Sequence, residues 1–399
     1  MKNLFLICTL LYTVLPSSAV AYELNERLYV NGFISQGFIK SPDNAYAGDD
    51  SIDGSFKVRE AALNLLWEPK DKVKLTGQVM HRQFLDAAES TELDFLFIDY
   101  QLLADSNSGL GVRLGRIKNQ FGLYNSARDI PNARPGITVP NGYFNSLRGL
   151  MLSTDGLELY GHHNLDNGNL NYRFTVGQRP FDSDKLEEYI FQQDLIPDYE
   201  NSRNIGMDLR FGFNDIPGLE LGFSLFQFKS ELGNQRSYQR AESSFSSKLQ
   251  DHIAANDFSI INRNLFIQYS LKNWIFTAEY IRNTTDSNNL FVYPGGIESR
   301  FSSMATIDDY YLQAEYFGSQ YSLMARVEKL DFENPKTTTY LQTKGFTVGA
   351  RWFIDANWTL GAEMSSVNGR LWLPVTQDID YDQMQEDWKL YQLQLTYQF

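Results

Sequence analysis

Residues 204–213 read Asn204-Ile205-Gly206-Met207-Asp208-Leu209-Arg210-Phe211-Gly212-Phe213. Five apolar side chains fall at every second position, and polar residues or glycine fill the gaps. Successive side chains of an extended strand point to opposite faces, so this stretch is a ribbon with one greasy side and one polar or bare side. The same two-residue period recurs in both directions from it. Val73, Leu75 and Val79 oppose Lys74, Thr76, Gln78 and Arg82. Tyr321, Leu323, Ala325 and Val327 oppose Ser322, Arg326 and Glu328, and the final segment sets Tyr391, Leu393, Leu395, Tyr397 and Phe399 against glutamines and a threonine.

Sixteen such segments begin near residues 27, 55, 72, 93, 109, 155, 168, 203, 218, 257, 274, 306, 320, 343, 357 and 387. Two of them, Leu28 to Ile39 and Leu93 to Leu103, are apolar on both faces. Connections alternate in length. Short ones lie at 68–72, 105–108, 166–168, 214–217, 272–273, 318–319 and 355–356. Long ones cover roughly 41–54, 85–92, 119–154, 180–202, 230–256, 285–305, 332–342 and 369–386. Eight long and seven short connections place both termini on the short-turn side, the asymmetry of bacterial outer-membrane barrels.

A soluble sandwich or propeller also has many short alternating strands, but its connections need not alternate in length. A closed barrel in lipid accounts for both patterns, because every backbone group pairs between strands and no edge is left in hydrocarbon. The expected fold class is therefore all-β, a transmembrane antiparallel barrel of about sixteen strands. Composition agrees. Aromatics make up 14% of 399 residues, with 28 Phe and 23 Tyr, while mean hydropathy is only -0.36. No apolar run reaches the ~20 residues of a membrane-spanning helix. Trp67, Trp274, Trp352, Trp358, Trp372 and Trp388 stand at or near segment ends, where interfacial aromatic girdles are expected.

The formal charge of -14 argues against nucleic acid as a partner. Residues 1–21 read as a secretory signal: Lys2 is the positive start, Leu4 to Leu15 the apolar stretch, and Ala19-Val20-Ala21 the small-residue cleavage site. The barrel then occupies 22–399. The single cysteine, Cys8, lies inside that signal, so the mature chain has no thiol for redox or metal chemistry. No cofactor or metal site is expected. Asp378, Asp380 and Asp382 alternate, but such a run is ordinarily a solvated one.

Two stretches carry a resemblance. The chain ends in Tyr397-Gln398-Phe399 with apolar residues at alternate positions behind it. This looks like the C-terminal signal by which the barrel assembly machinery recognises porin-like proteins. Gly115-Arg116-Ile117-Lys118-Asn119-Gln120-Phe121-Gly122-Leu123-Tyr124 resembles the end of the fifth strand and start of the third loop in the general-porin superfamily of Gram-negative outer membranes, including its phosphate-selective group. The resemblance implies a loop, here 119–154, that folds inward and narrows the channel. It also implies a homotrimer seated among outer-membrane lipid and lipopolysaccharide. Phosphate specificity does not carry over, because no run of lumen arginines and lysines is evident.

That loop holds Arg128, Asp129, Arg134, Arg148 and Asp155, with Arg116 and Lys118 at its base. Pro131, Pro135 and Pro140 stiffen it, and its glycines permit tight bends. Opposed charges on a stiff loop would set a transverse field across a constriction. Arg116, Lys118, Arg128, Arg134 and Arg148 outnumber Asp129 and Asp155, which points to a modest anion preference there, opposed by acidic loops at 182–200 and 378–387. Strand parity turns Lys74, Gln78, Arg82, Asp208, Arg210, Glu279, Glu315, Arg326, Glu328, Arg351 and Glu363 toward the lumen. Their mixed signs leave net selectivity open.

The expected function is passive diffusion of small polar or ionic solutes through a water-filled channel. The competing reading is a receptor or adhesin that uses its long loops. An enzyme is not expected: His162 and His163 are adjacent on a strand and face opposite ways, and no nucleophile-elbow or zinc-protease motif occurs. About 22 strands and an N-terminal plug, the marks of an energy-coupled transporter, are also missing from the pattern.

Overall fold

The computed structural model describes residues 22–46, 50–84, 90–143, 148–179, 199–232, 253–293, 297–335, 339–373 and 384–399. Its strands are β1 (Tyr22–Asn25), β2 (Leu28–Lys40), β3 (Ser55–Lys70), β4 (Val73–Phe84), β5 (Ser90–Ala104), β6 (Ser108–Lys118), β7 (Ser153–Leu165), β8 (Gly168–Gln178), β9 (Tyr199–Phe213), β10 (Leu219–Leu232), β11 (Ile253–Leu271), β12 (Trp274–Tyr293), β13 (Ile297–Phe317), β14 (Tyr321–Asn334), β15 (Thr339–Phe353), β16 (Trp358–Asn368) and β17 (Asp387–Gln398). Each of β2 to β16 pairs antiparallel with the next. β17 then returns to β2, with Leu393 opposite Phe38 and Gln398 opposite Phe33. The ring is closed at sixteen strands. β1 is a short flap on the start of β2, Tyr22 opposite Val30.

Alternation sets which face meets which medium. In β14, Leu323 and Val327 are exposed while Ser322, Met324, Arg326 and Glu328 are buried. In β16, Leu360 and Met364 are exposed while Glu363, Ser365 and Val367 are buried. Apolar side chains thus coat the outside and polar ones the inside, the inverse of a water-soluble core. No helix among the described residues is long and apolar enough to cross a membrane.

Three expectations need correcting. Residues 285–305 and 332–342 are not long loops: β12 and β13 continue until only 294–296 separates them, with Thr285 opposite Ala305 and Asn289 opposite Phe301. Likewise β14 runs to Asn334 and β15 starts at Thr339. The apolar period stops near residue 285, but the backbone ladder does not need it and carries on. Trp372 and Trp388 are not in a girdle. They are buried inside the mouth, edge to face at 6.3 Å, in a cluster with Ile39, Tyr46, Val58 and Leu390. Trp67, Trp274 and Trp352 do stand exposed near short turns. The stretches 1–21, 182–198 and 378–383 lie outside the described residues.

Candidate pore interior

The segment after β6 turns into the barrel at its first residues. Asn119 donates its amide N–H to the Leu152 carbonyl at 2.9 Å and its side-chain Nδ2 to Met151 O at 2.8 Å, tying the two ends of the segment together. Gly122 follows in the left-handed region at φ +59°, and a Cβ there would collide with the Tyr143 hydroxyl. Its N–H donates to Ser224 Oγ on β10 at 2.6 Å, and its carbonyl accepts from Arg210 on β9 at 3.0 Å. Phe121 stacks on Phe226 of β10 at 5.4 Å, and Tyr124 and Tyr143 complete an apolar cluster with Phe228, Phe258, Ile281 and Tyr311. These partners are inward residues of the wall, so the segment lies within the barrel.

A row of wall carboxylates clasps it further along. Glu279 on β12 accepts the Tyr143 hydroxyl at 2.7 Å, the Tyr311 hydroxyl at 2.6 Å and the Leu123 amide at 3.3 Å. Asp309 on β13 accepts the Gly142 amide at 2.7 Å, and Glu328 on β14 accepts that of Asn141. Glu363 on β16 accepts the Ile137 amide at 2.7 Å and the Thr138 hydroxyl at 2.6 Å. Arg351 on β15 donates to the carbonyls of Pro131 and Gly136 at 3.0 and 2.9 Å. Arg326 reaches the Thr138 carbonyl at 3.4 Å and pairs with Glu328. Glu315 accepts from Gln313 at 2.9 Å. The segment's backbone groups, stranded from any sheet, are thereby satisfied by inward side chains.

Its charges are buried in pairs. Asp129 takes both ends of Arg148 at 2.8 Å and Lys118 at 3.2 Å. Lys118 also reaches Asp94 of β5 at 2.8 Å, where Gln78 donates a second bond at 2.8 Å. Arg134 meets Glu60 of β3 at 2.8 Å, and Arg82 of β4 meets the same carboxylate at 3.2 Å. Arg128 donates to the Tyr143 carbonyl at 2.7 Å. Burial pushes its guanidinium down to about 9, which leaves it cationic at neutral pH. For Asp129, burial alone would raise the carboxyl, but Arg148 and Lys118 override it and hold the group well below its ordinary value. The basic excess read from the loop is therefore offset by Glu60 and Asp94 from the wall. Unpaired charges there would carry a desolvation penalty of several kcal/mol or more.

Arg116 and Asp155 are the exceptions among the charged residues read at the constriction. Arg116 shares a face with exposed Leu114, stands opposite Leu96 and Asp155, and grips Asp155 at 2.6 and 2.8 Å. Leu96 and Leu157 beside them are exposed, so the pair lies on the outside of the wall. The alternation was legible here: Val112, Leu114 and Arg116 are in phase.

A different set of side chains stays partly exposed on the inner face of β5 to β9: Phe95, Phe97, Arg113, Tyr160, Arg173 and Arg210. Arg113 donates to Asp99 at 2.8 Å and Glu158 at 2.7 Å, with its guanidinium 4.1 Å from the Tyr160 ring centre. Arg210 donates to Asp208 at 2.8 Å and lies 5.2 Å from the Phe266 ring. Arg173 stands opposite Tyr160 and Asp208 in register, with no hydrogen bond or ion pair among the described residues. Lys74, near the short-turn rim, pairs with Glu68 at 2.6 Å. Sequence reading missed Arg113 and Arg173, although each is flanked by two outward apolar residues: Val112 and Leu114, Tyr172 and Phe174.

No protein-family model and no curated protein sequence matches the chain. Solved structures do. In-vitro folded OmpT, an outer-membrane protein of Vibrio cholerae, superposes with a TM-score of 0.53 at 10% identity, over 97% of this chain and 100% of that one. The anion-selective porin of Comamonas acidovorans gives 0.53 at 12% identity, over 93% and 99%. The outer-membrane channel DcaP of Acinetobacter baumannii gives 0.51 at 8%, over 95% and 100%. The chain has the fold of the porin-like outer-membrane barrels. At these identities the likeness is one of fold, and this barrel's solute and selectivity must be argued from its own interior.

Proposed function

We propose that this porin-like barrel is a water-filled channel for passive diffusion of small polar or ionic solutes, a conduit without catalysis. One observation carries the reading: the inner faces of β5 to β9 keep charged and aromatic side chains partly exposed, while carboxylates of β12 to β16 clasp the inward segment. Sixteen strands enclose enough width for an aqueous path. Solutes would pass along Arg113, Arg173 and Arg210, whose neighbouring Asp99, Glu158 and Asp208 balance them, so dipolar or zwitterionic molecules fit better than strongly charged ones. The segment 119–152 would act as the narrowing element, its paired charges serving to fix its position. A homotrimer is part of the same reading, and a strictly monomeric native mass in detergent would remove it. Single-channel recording in planar bilayers tests the whole: steady ohmic steps support a diffusion channel, and a silent barrel points to a receptor or adhesin.

A further inference from the structure

One arginine of the inner wall is left without an acceptor. Asp99 takes Arg113 at 2.8 Å on one oxygen and the Tyr160 hydroxyl at 2.6 Å on the other. Glu158 takes Arg113 at 2.7 Å and the Thr175 hydroxyl at 3.2 Å. Asp208 takes Arg210 at 2.8 and 3.5 Å. Both oxygens of each carboxylate are therefore in use. Arg173 stands among these groups, opposite Tyr160 on β7 and Asp208 on β9, partly exposed and with no hydrogen bond or ion pair among the described residues. A guanidinium is a rigid fork of N–H donors that fits a carboxylate, so an open one in a wall invites an anion. That anion carries little charge. Arg113, Arg173 and Arg210 are already matched by Asp99, Glu158 and Asp208, and Glu220 lies 3.8 Å from Arg210, so there is no positive excess to hold a polyanion.

With charge nearly balanced, a second contact must supply the rest of the affinity, and the neighbouring rings offer it. Phe95 and Phe97 of β5 lie with ring centres 5.9 Å apart. The Arg113 guanidinium is 5.2 Å from the Phe97 centre and 4.1 Å from the Tyr160 centre. These side chains are inward and partly exposed, and they form one continuous strip of flat groups that ends beside Arg173. Next to Phe97 the wall is bare: Gly115, Gly156 and Gly177 share one rung of β6, β7 and β8. A Cβ on Gly156 would stand 2.1 Å from the Val176 carbonyl, so no side chain can fill that position.

We infer that the strip and Arg173 form a subsite for planar aromatic monocarboxylates, the ring stacked along Phe97, Arg113 and Tyr160 and the carboxylate held in the Arg173 fork. The inference rests on the reading of the barrel as a diffusion channel and names a solute class that its passage favours. Cross-strand neighbours such as Tyr160 and Arg173 stand ~5 Å apart at Cβ, a span that a benzoate-sized molecule bridges from ring to carboxylate. Stacking on rings and on a guanidinium needs a flat π-face. Size and charge alone would pass a saturated ring equally well.

Saturation-transfer NMR on the barrel in lipid nanodiscs, with empty nanodiscs subtracted, compares benzoate with cyclohexanecarboxylate, which matches it in size and charge but is not flat. Benzoate should bind about tenfold tighter, the worth of its ring contacts. Arg173→Gln should weaken benzoate about tenfold by removing the charged fork. Phe97→Leu should bring the two acids to within about twofold of each other. Equal affinities for the two acids in the wild type would overturn the proposal, a comparison that needs no variant to fold. Unchanged benzoate affinity in Arg173→Gln would overturn it as well. The measurement uses no ion current, so its outcome is separable from that of the channel reading. A barrel silent in planar bilayers that still prefers benzoate upholds the subsite and removes the channel; steady current with equal affinities does the reverse.

Discussion

Arg148 grips Asp129 through two nitrogens, 2.8 Å to each carboxylate oxygen, across 19 residues of a segment that has no regular sheet partner. Asp129 is buried and Arg148 half-buried, and Lys118 joins them from the end of β6 at 3.2 Å. Removing one member of such a pair leaves its partner's charge uncompensated. Asp129→Asn should therefore destabilise the folded barrel by about 3–5 kcal/mol, read as a lower urea midpoint in detergent micelles. An unchanged midpoint would mean the pair does not hold the segment.

The same carboxylate sets a pH window. Asp129 is held well below its ordinary value of 3.8, so its contribution is complete above that value and is lost as pH falls through the lower, folded one. The gap in stability between wild type and Asp129→Asn should stay constant between about pH 7 and 5 and close only below about pH 4. A gap that closes near neutrality would contradict the ion-pair account.

Charge removal along the interior should separate two populations of arginine. Arg128 and Arg134 are buried, Arg134 against Glu60 and Arg128 against the Tyr143 carbonyl, so Arg128→Ala with Arg134→Ala should cost stability. Arg173 is partly exposed and has no ion pair among the described residues. Arg173→Gln should shift the reversal potential in a salt gradient toward cation preference while leaving unfolding within about 0.5 kcal/mol of wild type. If instead the double alanine variant moved the reversal potential more than Arg173→Gln, the passage would run beside the segment's own arginines.

The outer face allows a cleaner energetic test. Leu312 on β13 is 61% exposed, with Ala278 and Val327 beside it in the ladder. Leu312→Arg should cost about 2–4 kcal/mol in bilayers if that position sits near the hydrocarbon midplane, and less nearer the interfaces. Folding titrations in lipid vesicles read the difference directly, and a neutral result would place Leu312 outside lipid.

How far these features could be read without coordinates follows from what each depends on. Strand order and closure depend on the two-residue period, and β9, β14 and β16 display it plainly. The period fails at Asp286-Ser287-Asn288-Asn289, where β12 has no apolar face, though its ladder with β13 persists. It also blurs in β10, where Phe223 and Leu225 face out while Phe226 and Phe228 face in to meet the inward segment. Pairing was beyond reach. Arg134 and Glu60 are 74 residues apart, and Ile137 and Glu363 are 226 apart. Such partners are chosen by barrel register and by the path of the loop, neither of which leaves a local signature. Cross-strand cations are similar: Arg203, Lys229, Arg263 and Arg282 look scattered until the ladder sets them opposite one another.

The seam between first and last barrel strands offers the final test. The Phe399 amide donates to the Gly32 carbonyl and the Gly32 amide to the Phe399 carbonyl, both at 3.0 Å. The Phe399 ring lies against Gly32, so near that a Cβ on Gly32 would stand 2.8 Å from it and closer still to the Ala62 carbonyl. Only glycine leaves that space. Deleting Phe399 removes two backbone bonds at roughly 1 kcal/mol each and the ring contact, about 2–3 kcal/mol together. Phe399→Ala keeps the bonds and should lose only the ring's share. Gly32→Val leaves Phe399 in place but blocks its seat, so it should match or exceed the deletion in a refolding assay that follows heat-modifiable migration. Should Gly32→Val fold as well as wild type, the seat of the Phe399 ring would contribute nothing to the seam.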